Sequence, residues 1–465
     1  MVSLNAMLTA SANALDVFQQ ALSVVQSNVN NSSTPGYATQ SLNLDAQPMD
    51  LADGLTGGVT SGGLDNSRDP YAEQEVQQQT QALGKYTAQA NATSSLQSFF
   101  DATGASGVSA DLSSFFQSVS AWSVTPSDAT LGQAVLDSAS TLASSIQGLA
   151  NSLSQNAQQL NTSIASTADQ INSIAAQIQA YNAQRVSETT PDPGQDAQLY
   201  SALDNLSQLT NFSTVTQSDG TVTVLLAGGS PLVIGQQQYQ ISTASSATGA
   251  QVLGANGNDI TSQITGGQLG GLLDVRNRVL GSMLGDGQQT GSLNQFASTL
   301  ADTVNQILES GKVSSDPGAA AGTALFTYDT SSDAASTIEL NPNIAPSQLA
   351  PVDSSGNANG NANQIAALAN QTLSQLGGES LTQFFGEITS DIGTENQNAT
   401  TNEQSQQQVV AQATTIVNQV SGVSLDDQAT NVLQFQRAYQ AAAQVLTTID
   451  NLANCILDLI QPTAV

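Results

Sequence analysis

Two rows of apolar residues, one at each end of the chain, step by alternating threes and fours. The first runs through Leu4, Leu8, Ser11, Leu15, Phe18, Leu22, Val25 and Val29, the heptad spacing that buries a narrow seam of one helix against another. The second runs through Val432, Phe435, Tyr439, Ala442, Leu446, Ile449, Ala453, Ile456 and Ile460, and Val445, Leu452 and Leu459 widen it. One such row is ordinary helical packing. A pair at the extreme ends constrains more, because termini are commonly the least ordered part of a domain unless something ties them down. The two halves of the chain are therefore expected to run antiparallel, with their ends paired as coiled-coil helices.

Signals at the helix limits agree. The first row stops at Ser32-Ser33-Thr34-Pro35-Gly36-Tyr37, where Pro followed by Gly suits the central positions of a type II turn. The second opens at Ser424-Leu-Asp-Asp427, which fits a capping box with Ser424 at the N-cap and Asp427 three residues on, both acids lying at the positive end of the helix dipole. A helix from residue 425 to 460 would be about 54 Å long.

Between the ends the period changes twice. Leu142, Ile146, Leu149, Leu153, Leu160, Ile164, Ile171, Ile174, Ile178 and Tyr181 lie on one helical stripe, broken at Pro191-Asp-Pro-Gly194. Period two then takes over, with an Asp219-Gly220 pair between β-branched runs, a hairpin signal. Helical period returns from about 268 to 311 with a break at Gly285-Asp-Gly287, and Leu325-Phe-Thr-Tyr and Ser336-Thr-Ile-Glu-Leu read as short strands. The expected fold is mainly α with β inserts, a multidomain α+β chain with a long helical bundle rod. Its parts are a coiled-coil helix and turn (1–45), an extended linker (46–85), a helical rod (86–210), a small antiparallel β domain (211–266), a helix (267–312), a short β and loop insert (313–361), a helical rod return (362–420) and a second coiled-coil helix (421–465).

Composition removes most chemistry. Lys and Arg total 7 against 37 Asp and Glu, and there is no histidine. Without an imidazole there is no Ser-His-Asp triad and no histidine metal site. A lone cysteine, Cys455, makes neither an internal disulfide nor a thiolate cluster. Few cations leave nothing to neutralise phosphates, so neither nucleic acid nor an anionic membrane surface is an expected partner, and no cofactor or metal is expected. No apolar run approaches the about 18 residues of a membrane span. The first residues lack the basic and apolar regions of a Sec-type signal peptide, so the chain is expected to stay in the cytoplasm or to leave by a route that removes no leader. Charged residues are only 9% of the chain, which suits helices that lie against copies of themselves, where like charges would repel.

The segment Ser27-Asn-Val-Asn-Asn-Ser-Ser-Thr-Pro-Gly-Tyr-Ala-Thr-Gln40 resembles the N-terminal signature of the bacterial flagellar axial proteins, the rod, hook and hook-associated subunits. Phe435-Gln-Arg-Ala-Tyr-Gln-Ala-Ala-Ala-Gln-Val-Leu446 resembles their C-terminal signature. Gly266 to Arg276, Leu293 to Asn305 and Ser421 to Asp427 are similar to the hook-associated members. On this resemblance Asn28, Asn31, Pro35, Gly36, Tyr37, Gln436 and Tyr439 are motif residues. Thr39 stands where the family has arginine, and Leu203-Asp204 where it has an Arg-Asp pair.

The resemblance implies a structural subunit, not an enzyme, that polymerises in the extracellular flagellum at the hook tip and joins hook to filament. Its partners would be copies of itself, the hook protein, the next junction protein toward the filament and an export chaperone on the C-terminal region. It also implies type III export without a cleaved signal peptide. Leu4, Leu8, Leu15, Phe18, Leu22, Val25 and Val29, with Val432, Phe435, Tyr439, Leu446, Ile449, Ile456 and Ile460, are the expected oligomerisation seam. Another axial protein, of hook or distal rod, is the near alternative. A secreted acidic hydrolase with paired carboxylates is the distant one, and it lacks aromatics to wall a sugar cleft.

A seam without its assembly partners does not offset its ordering entropy. Limited proteolysis of dilute monomer is therefore expected to trim both ends quickly to a core of about residues 50 to 420; full protection of both ends would remove the assembly role from these helices.

Overall fold

The computed structural model describes residues 2–50, 55–100, 105–187, 192–330 and 333–460. The chain folds as helical hairpins nested inside one another. Helix α1 (Val2–Asn30) lies against α12 (Leu425–Ile460), and α2 (Pro70–Gln97) runs antiparallel to α11 (Leu381–Ser421). Rungs of polar side chains mark the second pairing: Gln406 Nε2 donates to the Gln79 carbonyl at 3.0 Å, Thr87 Oγ1 to Glu403 at 2.9 Å, and Asn396 Nδ2 to Gln97 at 2.6 Å.

Helix α3 (Gly107–Val124) leads into α4 (Ala129–Ser187), 59 residues without a proline and so about 88 Å long. Its stripe Leu142, Ile146, Leu153, Ile164, Ile171 and Ile178 is buried, and Phe115 and Trp122 of α3 pack into the same core. Helix α5 (Pro193–Leu209) starts with Pro193 in its first turn and Asp192 accepting from the Gly194 N–H at 2.8 Å. Pro191 lies outside the described residues.

Beyond α5 the period-two segment forms an antiparallel sheet of β3 (Phe212–Thr216), β4 (Val222–Leu226), β5 (Pro231–Ile234) and β6 (Gln237–Gln238), in that spatial order. Gly220, at φ 81° in the turn between β3 and β4, occupies a conformation open to glycine. Strands β7 (Ser242–Ser245) and β8 (Ala250–Leu253) make a separate hairpin. The helix after it runs as α6 (Gly267–Asp274), a π-helical turn (Val275–Val279) and α7 (Leu280–Leu284), then breaks before α8 (Ser292–Glu309).

Three expectations change. Residues 46–85 are not an extended linker: β1 (Gln40–Asp50) and β2 (Leu55–Asn66) pair as a long hairpin, and α2 follows at Pro70. Sparse apolar alternation hid these strands, because the ribbon leans on α1 instead of covering a core. Gly58, near its tip, lies where a Cβ would be 3.6 Å from Ala10. Ser336 and Thr337 belong to a helical turn, α9 (Ala334–Thr337), so strand β10 is only Glu339–Leu340, paired with β9 (Phe326–Thr327). Finally, α10 (Gly360–Ala367) stops early, and the unbroken return begins at Leu381. There Ser380 Oγ accepts from the Gln383 N–H and Gln383 Oε1 from the Ser380 N–H, both at 3.2 Å.

Helical segments hold strands and loops through asparagine. Asn182 Nδ2 donates to the Val222 carbonyl while its Oδ1 accepts the Val222 N–H, both at 2.8 Å. Asn172 does the same to Ile241, Asn277 to Ala250 and Asn305 to Phe326. Each carboxamide completes both backbone bonds of one residue, as a neighbouring strand would. Removing one leaves a buried donor and acceptor without partners, which costs about 1–3 kcal/mol. Asn182→Ala is therefore expected to lower stability by about that amount in urea unfolding, whereas Asn398→Ala, at an exposed position, should stay within about 0.5 kcal/mol.

Candidate functional site

The expected motif residues of the N-terminal segment converge where four parts of the chain cross: the end of α1, the start of α2, the middle of α5 and the α11–α12 junction. Asn28, 1% exposed, is the hub. Its Nδ2 donates to the Gln40 carbonyl at 2.8 Å and to Gln428 Oε1 at 3.1 Å, and its Oδ1 accepts from the Gln40 N–H and the Tyr37 hydroxyl, both at 2.9 Å. All four hydrogen-bonding positions of the carboxamide are thus filled. Asn31 shapes the turn, donating to the Ser27 carbonyl at 2.9 Å and accepting from Thr34 Oγ1 at 3.1 Å. Gly36 is at φ 73°, and a Cβ there would collide with the backbone of Ala197 and Ser201, so glycine lets the turn press onto α5. Pro35 is exposed.

A second layer ties this turn to the α11–α12 junction. The Thr39 N–H donates to the Ser421 carbonyl at 2.9 Å and its Oγ1 to the Gly422 carbonyl at 2.8 Å. Ser421 Oγ donates to the Ser67 carbonyl at 3.2 Å. Just beyond, Ser424 Oγ accepts from the Asp427 N–H at 3.3 Å at the head of α12.

The third layer is ionic. Arg68 Nη1 meets Glu73 Oε1 at 2.5 Å, Nη2 donates to the Gly36 carbonyl at 2.5 Å, and the guanidinium lies 3.6 Å from the centre of the Tyr200 ring. Both ion-pair side chains are almost fully buried. Arg68 Nε and Asp204 Oδ1 are enclosed without partners. Arg68 thus pairs with Glu73, and its charge acts on Asp204 without an ion pair to it among the described residues. Burial first, then the charge of Glu73, pushes the Asp204 carboxyl up to about 7, while Arg68 and Gln77 pull it down. Burial likewise raises the Tyr200 and Tyr37 hydroxyls. Among the described residues no three metal-ligating side chains converge.

The heptad rows behave differently from the motif. On α1 the buried positions are Val17, Ala21, Val25 and Asn28. Leu4, Leu15, Phe18 and Leu22 are half-buried, and Leu8 and Val29 are exposed. The reason is the β1–β2 hairpin, which shares α1 with α12 and draws the buried stripe to the line between them. On α12, Ile449 is buried, Val432, Phe435 and Leu446 are half-buried, and Tyr439, Ile456 and Gln436 are exposed. The Ile460 side chain lies outside the described residues.

The sequence profile of the flagellar hook-associated protein FlgK helical domain matches residues 93–326, half of the 465-residue chain. The chain belongs to the FlgK family. It is a structural protein of the bacterial flagellum. A second profile, the C-terminal region of the flagellar basal body rod FlgEFG proteins, matches residues 418–459. Flagellar hook-associated protein 1 of Bacillus subtilis is 24% identical, with 97% of each chain covered, and that of Escherichia coli is 32% identical over 23% of this chain. The flagellar hook junction protein FlgK of Burkholderia pseudomallei shares the fold, with a TM-score of 0.63 at 17% identity over 75% of this chain and all of that one.

Against the family pattern, Arg68, Glu73, Tyr200, Gln428 and Ser421 were not visible as site residues in the sequence. The usable signal was scarcity: with 7 cations in the chain, an arginine close behind the motif turn is a candidate anchor. Asp204 prefers its protonated form in the folded joint, since its folded value of about 7 stands above the ordinary carboxylate range. Its contribution is fully present below that ordinary range and is lost as pH rises through about 7. Hydrogen exchange at residues 36–40 and 421–424 is accordingly expected to speed up from pH 5.5 to 8 beyond the intrinsic rate increase, and Asp204→Asn should flatten that dependence.

Proposed function

We propose that this FlgK-family chain is the subunit that joins hook to filament, polymerising through its terminal helix pair at the hook tip outside the cell. The observation that carries this reading is the outer side of the α1–α12 pair. Leu8 and Val29 on α1, with Leu433, Tyr439, Val445, Leu452 and Ile456 on α12, remain exposed after the two helices have paired. Scattered exposed apolar residues are normal, but rows of them along one rod mark a surface that meets another protein. Covering such side chains contributes roughly 1.5–3 kcal/mol each, enough over a ring of copies to outweigh their mutual repulsion.

In this reading the joint built on Asn28 and Arg68 sets the direction in which the helix pair leaves the body. Leu4, Leu15, Phe18, Leu22, Phe435 and Leu446 then support the seam from its half-buried margin. Copies of itself line the inner tube, with the hook protein on one side and the next junction protein on the other. Export through the flagellar type III channel, with a chaperone on the C-terminal region, belongs to the same reading. Likeness of residues 418–459 to the rod proteins favours the alternative of a rod or hook subunit, which its position along the flagellum distinguishes.

Single substitutions Phe435→Asp, Val445→Asp and Leu452→Asp should leave cells with hooks but without filaments, and with flagellin in the medium, while circular dichroism of the purified chain stays close to wild type. Normal filaments in all three would overturn the proposal.

A further inference from the structure

Arg276 stands in the π-helical turn between α6 and α7, an irregularity that often accompanies functional positions. Its side chain is among the largest that are fully buried, at 2% exposed. Nε donates to Asn161 Oδ1 at 2.9 Å, and Nη2 donates to the Ser246 and Ala247 carbonyls at 2.8 and 3.0 Å. Nη1 donates to nothing among the described residues, and it is not sealed from solvent. Arg68 and Arg278 each meet a carboxylate, whereas no carboxylate lies within 4.0 Å of Arg276 among the described residues. Desolvation alone acts on its guanidinium and pulls its pKa below the ordinary arginine value.

The side chain lines a groove of about 990 Å³ between α4, the β7–β8 turn, the loop between α7 and α8, and residues 328–330 and 333–336. Its walls carry hydroxyls and carboxamides, among them Gln158, Thr248, Gln288 and Gln289, between alanines and glycines. The acid on the wall, Asp333, accepts from Asn294 Nδ2 at 3.3 Å. We propose that this groove is an anion site that takes a carboxylate or oxyanion at Arg276 Nη1, with the surrounding hydroxyls and amides as further donors. A desolvated guanidinium without a counter-charge attracts an anion far more strongly than a solvated one does. In a chain with a formal charge of −30, the lining of this groove sets one positive charge, Arg276, against one negative, Asp333. The anion has two sources, a small ion of the medium or an acidic side chain of an adjoining copy, and the chemistry at Arg276 is the same.

The test uses the full chain with nitrogen-15 labelled arginine, titrated with acetate and with inorganic phosphate. A saturable shift of the Arg276 guanidinium signal is expected. Gln158→Glu puts a carboxylate on the groove wall one helical turn from Asn161 without disturbing a buried residue, and it should weaken phosphate binding at least about tenfold. Arg276→Gln should abolish binding, with circular dichroism to confirm the fold. Raising protein concentration without added anion separates the sources: a shift that grows together with the sedimentation coefficient, with acetate returning the chain to the monomer, assigns the carboxylate to a second copy, and no concentration-dependent shift assigns the site to a free ion. No saturable shift in the wild-type chain, or unchanged binding in Gln158→Glu, overturns the proposal.

Discussion

Paired hydrogen bonds from asparagine carboxamides to single backbone residues hold this protein's strands and turns to its helices. Asn28, Asn172, Asn182, Asn277 and Asn305 each close both the N–H and the C=O of one partner residue. Such contacts suit a chain in which charge is scarce. A buried ion pair must recover the desolvation of two ions, whereas a carboxamide carries no net charge and matches the peptide group in size and polarity. The β9–β10 pair is too small to stand alone, since isolated two-stranded ribbons are marginal in water, and the four-stranded sheet is short in every strand. Their stability is borrowed from α4 and α8 through these clamps.

The joint at Asn28 applies the same interaction to a different end. Around it the chain returns four times, near residues 36–40, 67–73, 197–204 and 421–428, and the Arg68–Glu73 contact is ionic. Glycine at position 36 sets how closely the turn approaches α5, and Arg68 then fills the space behind it. Asp204 sits beside that arginine with one oxygen enclosed and unpaired. The joint is therefore tightly specified in geometry, and its charges balance only while Asp204 holds its proton.

Much of this was legible beforehand, for reasons that differ by element. The α4 stripe was legible because its long helical pattern buries many side chains at once, and α12 because its row is equally long, although Ile449 is the member of that row buried among the described residues. The Asp219-Gly220 turn was legible because a positive φ leaves few choices of residue. The β1–β2 hairpin was not, since Gln40 to Asn66 alternates weakly and half of it faces solvent. Its presence also explains why the heptad row meets the buried stripe of α1 only at Val25: a helix gripped from two sides buries the line between its neighbours, and Val17 and Ala21 lie there. For the joint, Asn28, Asn31, Gly36 and Tyr37 could be read as a motif, but Arg68, Tyr200 and Gln428 reach it from 32 to 392 residues away from Gly36, and nothing local marks them.

The crossing at Ser421 also fixes how load moves through the molecule. Helix α11 passes into α12 through residues 422–424, and at this crossing the Ser421 and Gly422 carbonyls accept from Thr39 on one side while Ser421 Oγ donates to the Ser67 carbonyl on the other. A twist applied to the terminal pair therefore reaches the α2–α11 pair along two parallel routes, one covalent and one hydrogen-bonded. Torsion is shared between them over a few residues instead of winding up along the helices, which makes this short segment the torsional coupling between the terminal helix pair and the body.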